Sequence, residues 1–442
     1  MLRFFIRLSV PTLFVFAALV ALGVPAASAQ SLPCSATMST NACDAYQGVQ
    51  EFIGSGDGSP VAWSSSTGLW GNGTGPYWWQ SAVGIGTLAR YGQQTGQLGS
   101  PINNVLTRTY QANDQSGNGN FTNNYMDDTA WWGLGWLEAA QYELDVRSDQ
   151  TDAGHFLSVA EHDASYINQQ SKVCGGIPWS VNPTSAPHTI SQATFISLAA
   201  GLASFLDASG PFQNTRKAST YLREAQSAWN WLASSGLVDT SSGKVTYDSI
   251  GSTSNCQDFA GGPVTYTQGE VADALVQLGR ASGNDAYDGY AANFLNWAIN
   301  PGSPDFSPFV CDSSNNNSSS NVPACTEDFL MLQDRCEIYS INCSANSNQL
   351  DVTAFKGIFI QGMSDYVSIT GDTQFNTFIQ DQPTALIDNN DWYGATESPP
   401  ESSPCSSPTA CQFGRSYARV EPPELTEGTQ ESALNALTAA LR

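Results

Sequence analysis

Two aspartates stand side by side, Asp127 and Asp128, in the stretch NNYMDDTAWWGLGWLEAAQYE (Asn123 to Glu143). They open an apolar, tryptophan-rich run, and the pattern predicts both carboxyls at a helix N-terminus. Neighbouring residues there point about a quarter-turn apart, so both can reach one bound group from different angles. A helix N-terminus favours a charged carboxylate. A second carboxyl close by is then pushed to keep its proton, because like charges at that range resist ionising together. One anion beside one acid is the pairing that cleavage of a glycosidic bond requires. The plainer reading is capping, since Asp is favoured at N-caps and in first turns. The surroundings ask for more than a cap. Trp131, Trp132 and Trp136 follow, and Gly133 and Gly135 sit inside the helix, where each costs roughly 1 kcal/mol against Ala. Glycine tolerated there implies close approach of another helix or of a ligand. Tyr125 and the aromatics of PYWWQ (Tyr77, Trp78 and Trp79) can stack on sugar faces or pack in a core.

The elements that must position this pair are mostly helical. Beginning at Trp78, helix patterns appear in YWWQSAVGIGTLARYGQQTG, which is expected to end near Gly92 with a further turn signal at Thr95-Gly96, and in TDAGHFLSVAEHDASYINQQ. HTISQATFISLAAGLASFL is apolar almost all round, the mark of a buried helix. RKASTYLREAQSAWNWLASSG carries Tyr221, Leu222, Ala225, Trp229 and Leu232 at helical spacing. TQGEVADALVQLGRASG, DAYDGYAANFLNWAI, VTAFKGIFIQGMSDYVSITG, DTQFNTFIQDQPTALI and LTEGTQESALNALTAAL continue the series, and strand-like alternation is confined to scraps such as KVTYDSI. Apolar helices alternate with amphipathic ones, which predicts an inner ring wrapped by an outer ring. The expected fold class is all-α, an (α/α)6 toroid of alternating inner and outer helices. Residues 305–349 and 396–424, rich in Ser, Asn, Pro and Cys, read as long stapled loops on one catalytic domain spanning 30–442.

Residues 1–29 read as an export signal: Arg3 and Arg7 flank an apolar run, and Ala27-Ser28-Ala29 offers a cleavage site. No later run reads as long and apolar enough to span a bilayer, and no lipid-anchor signal is read at the C-terminus. Secretion, outside the cell or into its wall, follows. The ten cysteines then favour disulfides, with Cys34/Cys43, Cys311/Cys325, Cys336/Cys343 and Cys405/Cys411 as local staples and Cys174/Cys256 as a long-range bridge. Zinc is disfavoured by the cysteine spacings and by the presence of only three histidines. Neither metal nor cofactor is expected. The net charge of −24 would repel nucleic acid and anionic membranes, leaving an uncharged or cationic substrate. Sequons at Asn72, Asn120, Asn316, Asn317 and Asn342 permit N-glycans in a eukaryotic host.

NYMDDTAWWGLGWLEA resembles the Asp-Asp motif of glycoside hydrolase family 76, the α-1,6-mannanases and related fungal cell-wall proteins. YWWQSAVGIGTL, CGGIPWS, HTISQATFISLAAGL, TYTQGEVADAL and FKGIFIQGM fit the same family in the same order, across most of the chain beyond the signal. The resemblance implies an (α/α)6 toroid, Asp127 as nucleophile and Asp128 as general acid/base of a retaining mechanism. It also implies a cleft lined by Trp179, Tyr266 and Gln268. The sequence departs from the family pattern at Thr267, where Asn is usual, at Pro178, where an aromatic is commoner, and at PHTISQ, where His188 and Gln192 replace asparagines. His188 is then a candidate for binding a sugar hydroxyl. The expected activity is that of a monomeric endo-acting α-1,6-mannanase taking a mannan polysaccharide or oligosaccharide. The alternatives are a cell-wall transglycosidase using the same pair and a glycan-binding protein without catalysis.

Overall fold

The computed structural model describes residues 39–54, 63–72, 75–114, 121–300, 310–311, 331–332, 351–388 and 427–442. The export signal, most of the cysteines, the two long loops and the sequons other than Asn72 lie outside the described residues. Among the described residues twelve α-helices carry the fold. They are α1 (Thr40–Ile53), α2 (Trp78–Thr95), α3 (Gly99–Asp114), α4 (Met126–Tyr142), α5 (Gln150–Asn168), α6 (Thr189–Asp207), α7 (Thr215–Ser235), α8 (Thr265–Ser282), α9 (Ala286–Ile299), α10 (Phe355–Thr370), α11 (Asn376–Asp388) and α12 (Glu427–Ala439). Four small antiparallel sheets among the described residues, from that of β1 (Trp63–Ser64) and β2 (Leu69–Asn72) to that of Val310–Cys311 with Met331–Leu332, decorate the loops.

The even-numbered helices form a closed inner ring: α2 packs on α4, α4 on α6, α6 on α8, α8 on α10, α10 on α12, and α12 returns to α2. The odd-numbered helices lie outside, with α5 against α4, α7 against α6 and α9 against α8. Sequence explains the partition. In α6 every residue from Thr189 to Ala200 is buried, as a helix apolar on all faces must be. In α7 only Ala218, Ala225, Trp229 and Leu232 are buried, a single stripe. The expected (α/α)6 toroid is the fold observed.

Glycine sets the spacing of the inner ring. A Cβ on Gly135 would fall on the Ala82 carbonyl oxygen of α2, and one on Gly133 would lie 2.5 Å from Leu198 of α6. The close approach inferred for these glycines is therefore helix against helix. Gly92 plays the same part. Its missing Cβ makes room for the Tyr142 ring, so α2 runs through Gly92 to Thr95 and ends instead on Gly96, in the left-handed region at φ 66°.

Two further readings need revision, and one is borne out. α1 and α3 went unread because both are rich in polar residues and lack a continuous apolar run. α6 is long and apolar enough to cross a membrane by length and composition. Its hydropathy answers to the core instead, since an inner helix meets protein on every side and 89% of its apolar window is buried. The Cys174–Cys256 bridge is formed, joining loops 82 residues apart.

Candidate active site

The N-terminal ends of the inner helices open on a cleft of about 550 Å³. Trp79 comes from α2, Asp127, Asp128 and Trp131 from α4, Ile190 from α6, Tyr266 from α8 and Phe355 from α10. Tyr125, Trp179, His188, Asp248 and Asp351 enter from the segments between helices.

Asp127 and Asp128 occupy the first turn of α4, whose N-cap, Tyr125, makes no side-chain cap. Neither aspartate is the N-cap, so of the plainer reading only the preference of acids for a first helical turn applies. Asn123 is the organiser below them. Its Nδ2 donates to Asp128 Oδ2 at 2.6 Å, its Oδ1 accepts from the Tyr125 amide at 2.7 Å, and its carbonyl accepts from the Tyr166 hydroxyl at 3.2 Å. Trp179 Nε1 donates to Asp127 Oδ2 at 3.1 Å. Asp127 Oδ1 is buried and has no hydrogen-bond partner among the described residues.

The wall beside Asp127 is built from short backbone pairings. Met126 N–H donates to the Trp179 carbonyl at 2.9 Å and Val181 N–H to the Asn124 carbonyl at 2.9 Å. Trp179 N–H donates to Ala186 O at 2.9 Å, and Ile250 N–H to Pro187 O at 3.0 Å. The Cys174–Cys256 bridge ties the α5–α6 segment, which carries Trp179 and His188, to the α7–α8 segment, which carries Asp248. Trp179 stacks on His188 with ring centroids 4.8 Å apart and meets Tyr125 at 4.7 Å. Across the cleft Tyr266 stacks on Phe355 at 3.9 Å, and Trp79 faces Trp131 at 6.1 Å.

Charge in the cleft is one-sided. Among the described residues four carboxyls line it and no Lys or Arg does. Burial pushes Asp127 well above the usual carboxylate range, the neighbouring Asp128 charge adds to this, and the Trp179 N–H and first-turn amides oppose it. Burial raises Asp128 to about 6, with the Asn123 donor opposing and the Asp351 charge assisting. The two carboxyls titrate as a pair that holds one proton between them well above the ordinary range. Burial also raises Asp248 to about 6 and Asp351 in the same direction, although Trp79 Nε1 at 2.8 Å and Gln80 Nε2 at 3.0 Å both donate to Asp351. His188 is lowered to about 4 by burial and is neutral, 3.5 Å from Asp248 Oδ2.

Of the residues singled out in the sequence, Asp127, Asp128, Trp79, Tyr125, Trp179, His188 and Tyr266 converge on this cleft. Trp78 and Gln268 do not. Trp78 packs against Trp132 at 5.2 Å, one helical position round from Trp79. Gln268 is fully buried, accepting from Val245 N–H and donating to the carbonyls of Gly243 and Phe294. It lies two residues beyond Tyr266, on the opposite side of α8. Gln192 likewise clamps the Ile177 backbone through both ends of its amide. Asn123, Asp248 and Asp351 were not recognised as site residues. Outside the cleft, Glu143, Asp149 and Asp152 bring carboxylate oxygens within 4.8 Å of one another, but Arg147 already neutralises Glu143 at 2.8 Å.

The family model "Glycosyl hydrolase family 76" matches residues 36–381. Mannan endo-1,6-alpha-mannosidase DCW1 of Candida glabrata is 23% identical over 228 residues, covering 50% of this chain and 49% of that protein. A putative mannan endo-1,6-alpha-mannosidase of Schizosaccharomyces pombe is 23% identical over 231 residues, 50% of each. The chain thus spans about half the length of the curated relatives it matches. The GH76A alpha-1,6-mannanase of Salegentibacter superposes with TM-score 0.63 at 18% identity, covering 91% of this chain and 99% of that one. A variant of that enzyme, inactive with two adjacent aspartates changed to asparagine, is solved with alpha-1,6-mannotriose (TM-score 0.61, 18% identity, with the same coverage). Dfg5 of Chaetomium thermophilum, solved with glucosamine, gives TM-score 0.63 at 19% identity over 91% of this chain and 89% of that one.

Proposed function

This chain belongs to glycosyl hydrolase family 76, and on that premise we propose that it is a secreted, retaining, endo-acting hydrolase of α-1,6-mannosidic linkages in mannan. The observation that carries this reading is the buried, adjacent Asp127–Asp128 pair at the N-terminus of α4, facing an aromatic-walled cleft. The printed activities of the matched relatives, and the paired aspartates removed in the inactive Salegentibacter variant, support it. The absence of Lys and Arg from the cleft lining among the described residues, and the net charge of −24, suit a neutral polysaccharide.

In this mechanism Asp127 attacks the anomeric carbon as the C1–O bond to the leaving sugar breaks, and the departing oxygen takes the Asp128 proton. An ester between Asp127 and the sugar results. Asp128, now an anion, takes a proton from water, whose oxygen attacks C1 and releases Asp127. Each carboxyl ends as it began. The pair holds one proton between its carboxyls above the ordinary range, and the reaction needs that proton on Asp128. Tyr125, Trp131, Tyr266 and Phe355 offer ring surface, and Asp248, Asp351 and His188 offer polar groups to sugar hydroxyls. The protein is expected to act as a secreted monomer on wall or soluble mannan.

Two aromatic pairs besides that of Trp179 line the cleft, Trp79–Trp131 and Tyr266–Phe355, and they favour a second reading in which one holds an acceptor sugar. The chemistry is then unchanged, but a glycan hydroxyl replaces water and the protein is a transglycosidase. Incubation with linear α-1,6-mannan, with early products followed by 1H NMR and chromatography, tests both readings. Internal cleavage to oligosaccharides that are first released as α-anomers is expected. Initial β-anomers would exclude retention, and turnover confined to other polysaccharides would exclude the substrate. Dominant transfer products on adding a mannan oligosaccharide would favour the second reading.

A further inference from the structure

Asp127 poses an electrostatic problem for its proposed role. A nucleophile must be an anion, yet burial and the Asp128 charge both press Asp127 toward its neutral form. Among the described residues one side chain donates to it, the Trp179 indole. The ring that makes this bond is held on several sides. The Trp179 carbonyl accepts from Met126 N–H at 2.9 Å, in the same turn as Asp127. Its own amide donates to Ala186 O at 2.9 Å. Tyr125 and Ser180 form a backbone bridge beside it, and one ring face lies on neutral His188, 15° from parallel. Tyr125 crowds Trp179 as well, with ring centroids 4.7 Å apart. A platform for a sugar needs an open face, and His188 already covers one face of this ring, whereas the indole edge is aimed at a carboxylate.

We propose that Trp179 is a positioning residue for Asp127. Its indole N–H occupies Oδ2 and fixes the carboxylate orientation. The bond is charge-assisted only while Asp127 is ionised, so it favours the reactive form. This deepens the nucleophile assignment given above and rests on it. The anchor of the indole is backbone pairing from the α5–α6 segment, which the Cys174–Cys256 bridge ties down. A contact between segments therefore governs a carboxyl on a helix.

The substitution Trp179→Phe keeps an aromatic ring and removes the N–H. The Asp127 carboxyl, followed by 13C NMR without substrate and identified by its loss in Asp127→Asn, is expected to titrate about one pH unit higher in Trp179→Phe. The acid limb of kcat/KM should move up by the same amount with KM for an oligosaccharide little changed. An unmoved carboxyl titration with KM raised about tenfold, the loss of a stacking contact of roughly 1–3 kcal/mol, would overturn the proposal and make Trp179 a sugar platform. Should that variant fail to fold, the wild-type protein provides the test. The Trp179 indole 1H resonance should follow the Asp127 titration, and that pH dependence should vanish in Asp127→Asn. An indole signal indifferent to the Asp127 charge would also overturn it. Neither NMR titration needs turnover, so failure of the mannanase reading would show separately, as absent cleavage of mannan.

Discussion

At the N-terminal ends of the inner helices Asp127, Asp128, Asp248 and Asp351 share a cleft with no Lys or Arg in its walls among the described residues. At the C-terminal ends of the same helices a smaller cavity, about 180 Å³, is lined by Glu138, Asp273 and Asp365 together with Arg90, Arg280 and Arg442. Arg90 reaches Glu138 at 3.1 Å and Asp365 at 3.7 Å, and Arg442 reaches Asp365 at 3.7 Å. Burial opposes the Arg90 charge, but Glu138, Asp365 and Asp273 outweigh it and keep the guanidinium ionised. Helix dipoles favour both arrangements, with anions at one end of the ring and cations at the other. What separates the ends is compensation. At one end arginines partly compensate the acids, although Asp273 still keeps its proton to about 7, whereas among the described residues no arginine or lysine does so in the cleft, whose acids remain available for chemistry.

Changing a single residue at each end should expose this contrast. Asp127→Asn is expected to lower turnover by at least about a thousandfold while leaving the unfolding midpoint close to wild type, because it removes a nucleophile and no ion pair. Turnover within tenfold of wild type would remove Asp127 from the mechanism. At the other end, Arg90→Met should cost about 3 kcal/mol in urea unfolding, since it strands Glu138 and Asp365, while kcat on mannan stays near the wild-type value. A variant as stable as wild type would mean the paired end contributes nothing to the fold.

The smallest effect expected is on pH dependence, and it differs between the ends. Turnover should fall as pH rises past the point where the Asp127–Asp128 pair gives up its shared proton, above the ordinary carboxylate range. Stability should also fall, but toward pH 7, for another reason. Asp273 is raised to about 7 by burial and then by the Asp365 charge, from an ordinary value of 3.8, so the folded state binds more protons than the unfolded chain between those limits. Its stabilising contribution is complete below the lower value and lost as pH climbs through the upper one. Asp273→Asn should flatten the melting temperature between pH 5 and 8 without moving the activity limb. If it moves the limb instead, the two ends are electrically coupled.

Local pattern carried a reader far along this chain. The apolar run of α6 could only be buried, the single stripe of α7 could only be half-buried, and their alternation implied two rings. The Asp-Asp pair was legible because both residues lie in one helical turn, where spacing alone fixes their relative directions. Side-chain direction at helix starts was the first point at which reading failed. Trp78 beside Trp79, and Gln268 two residues past Tyr266, share their neighbours' chemistry but not their face. Without knowing which side of α2 or α8 meets the cleft, nothing distinguishes them.

Asp248 and Asp351 stayed hidden for a different reason. Neither lies in a long helix: Asp248 sits between short strands, and Asp351 begins the three-residue 3-10 turn Asp351–Thr353. No periodicity points them anywhere. They reach the cleft because the inner ring closes when α12 packs on α2 and because the Cys174–Cys256 bridge joins distant segments. Residue types and helical spacing thus dictated the helices, their burial and a pair of acids with a shared proton, all of which are set by interactions within a few residues. Which further groups surround that pair, and which oxygen of Asp127 is held by Trp179, was left to ring closure, since contacts between remote segments leave no trace in local order.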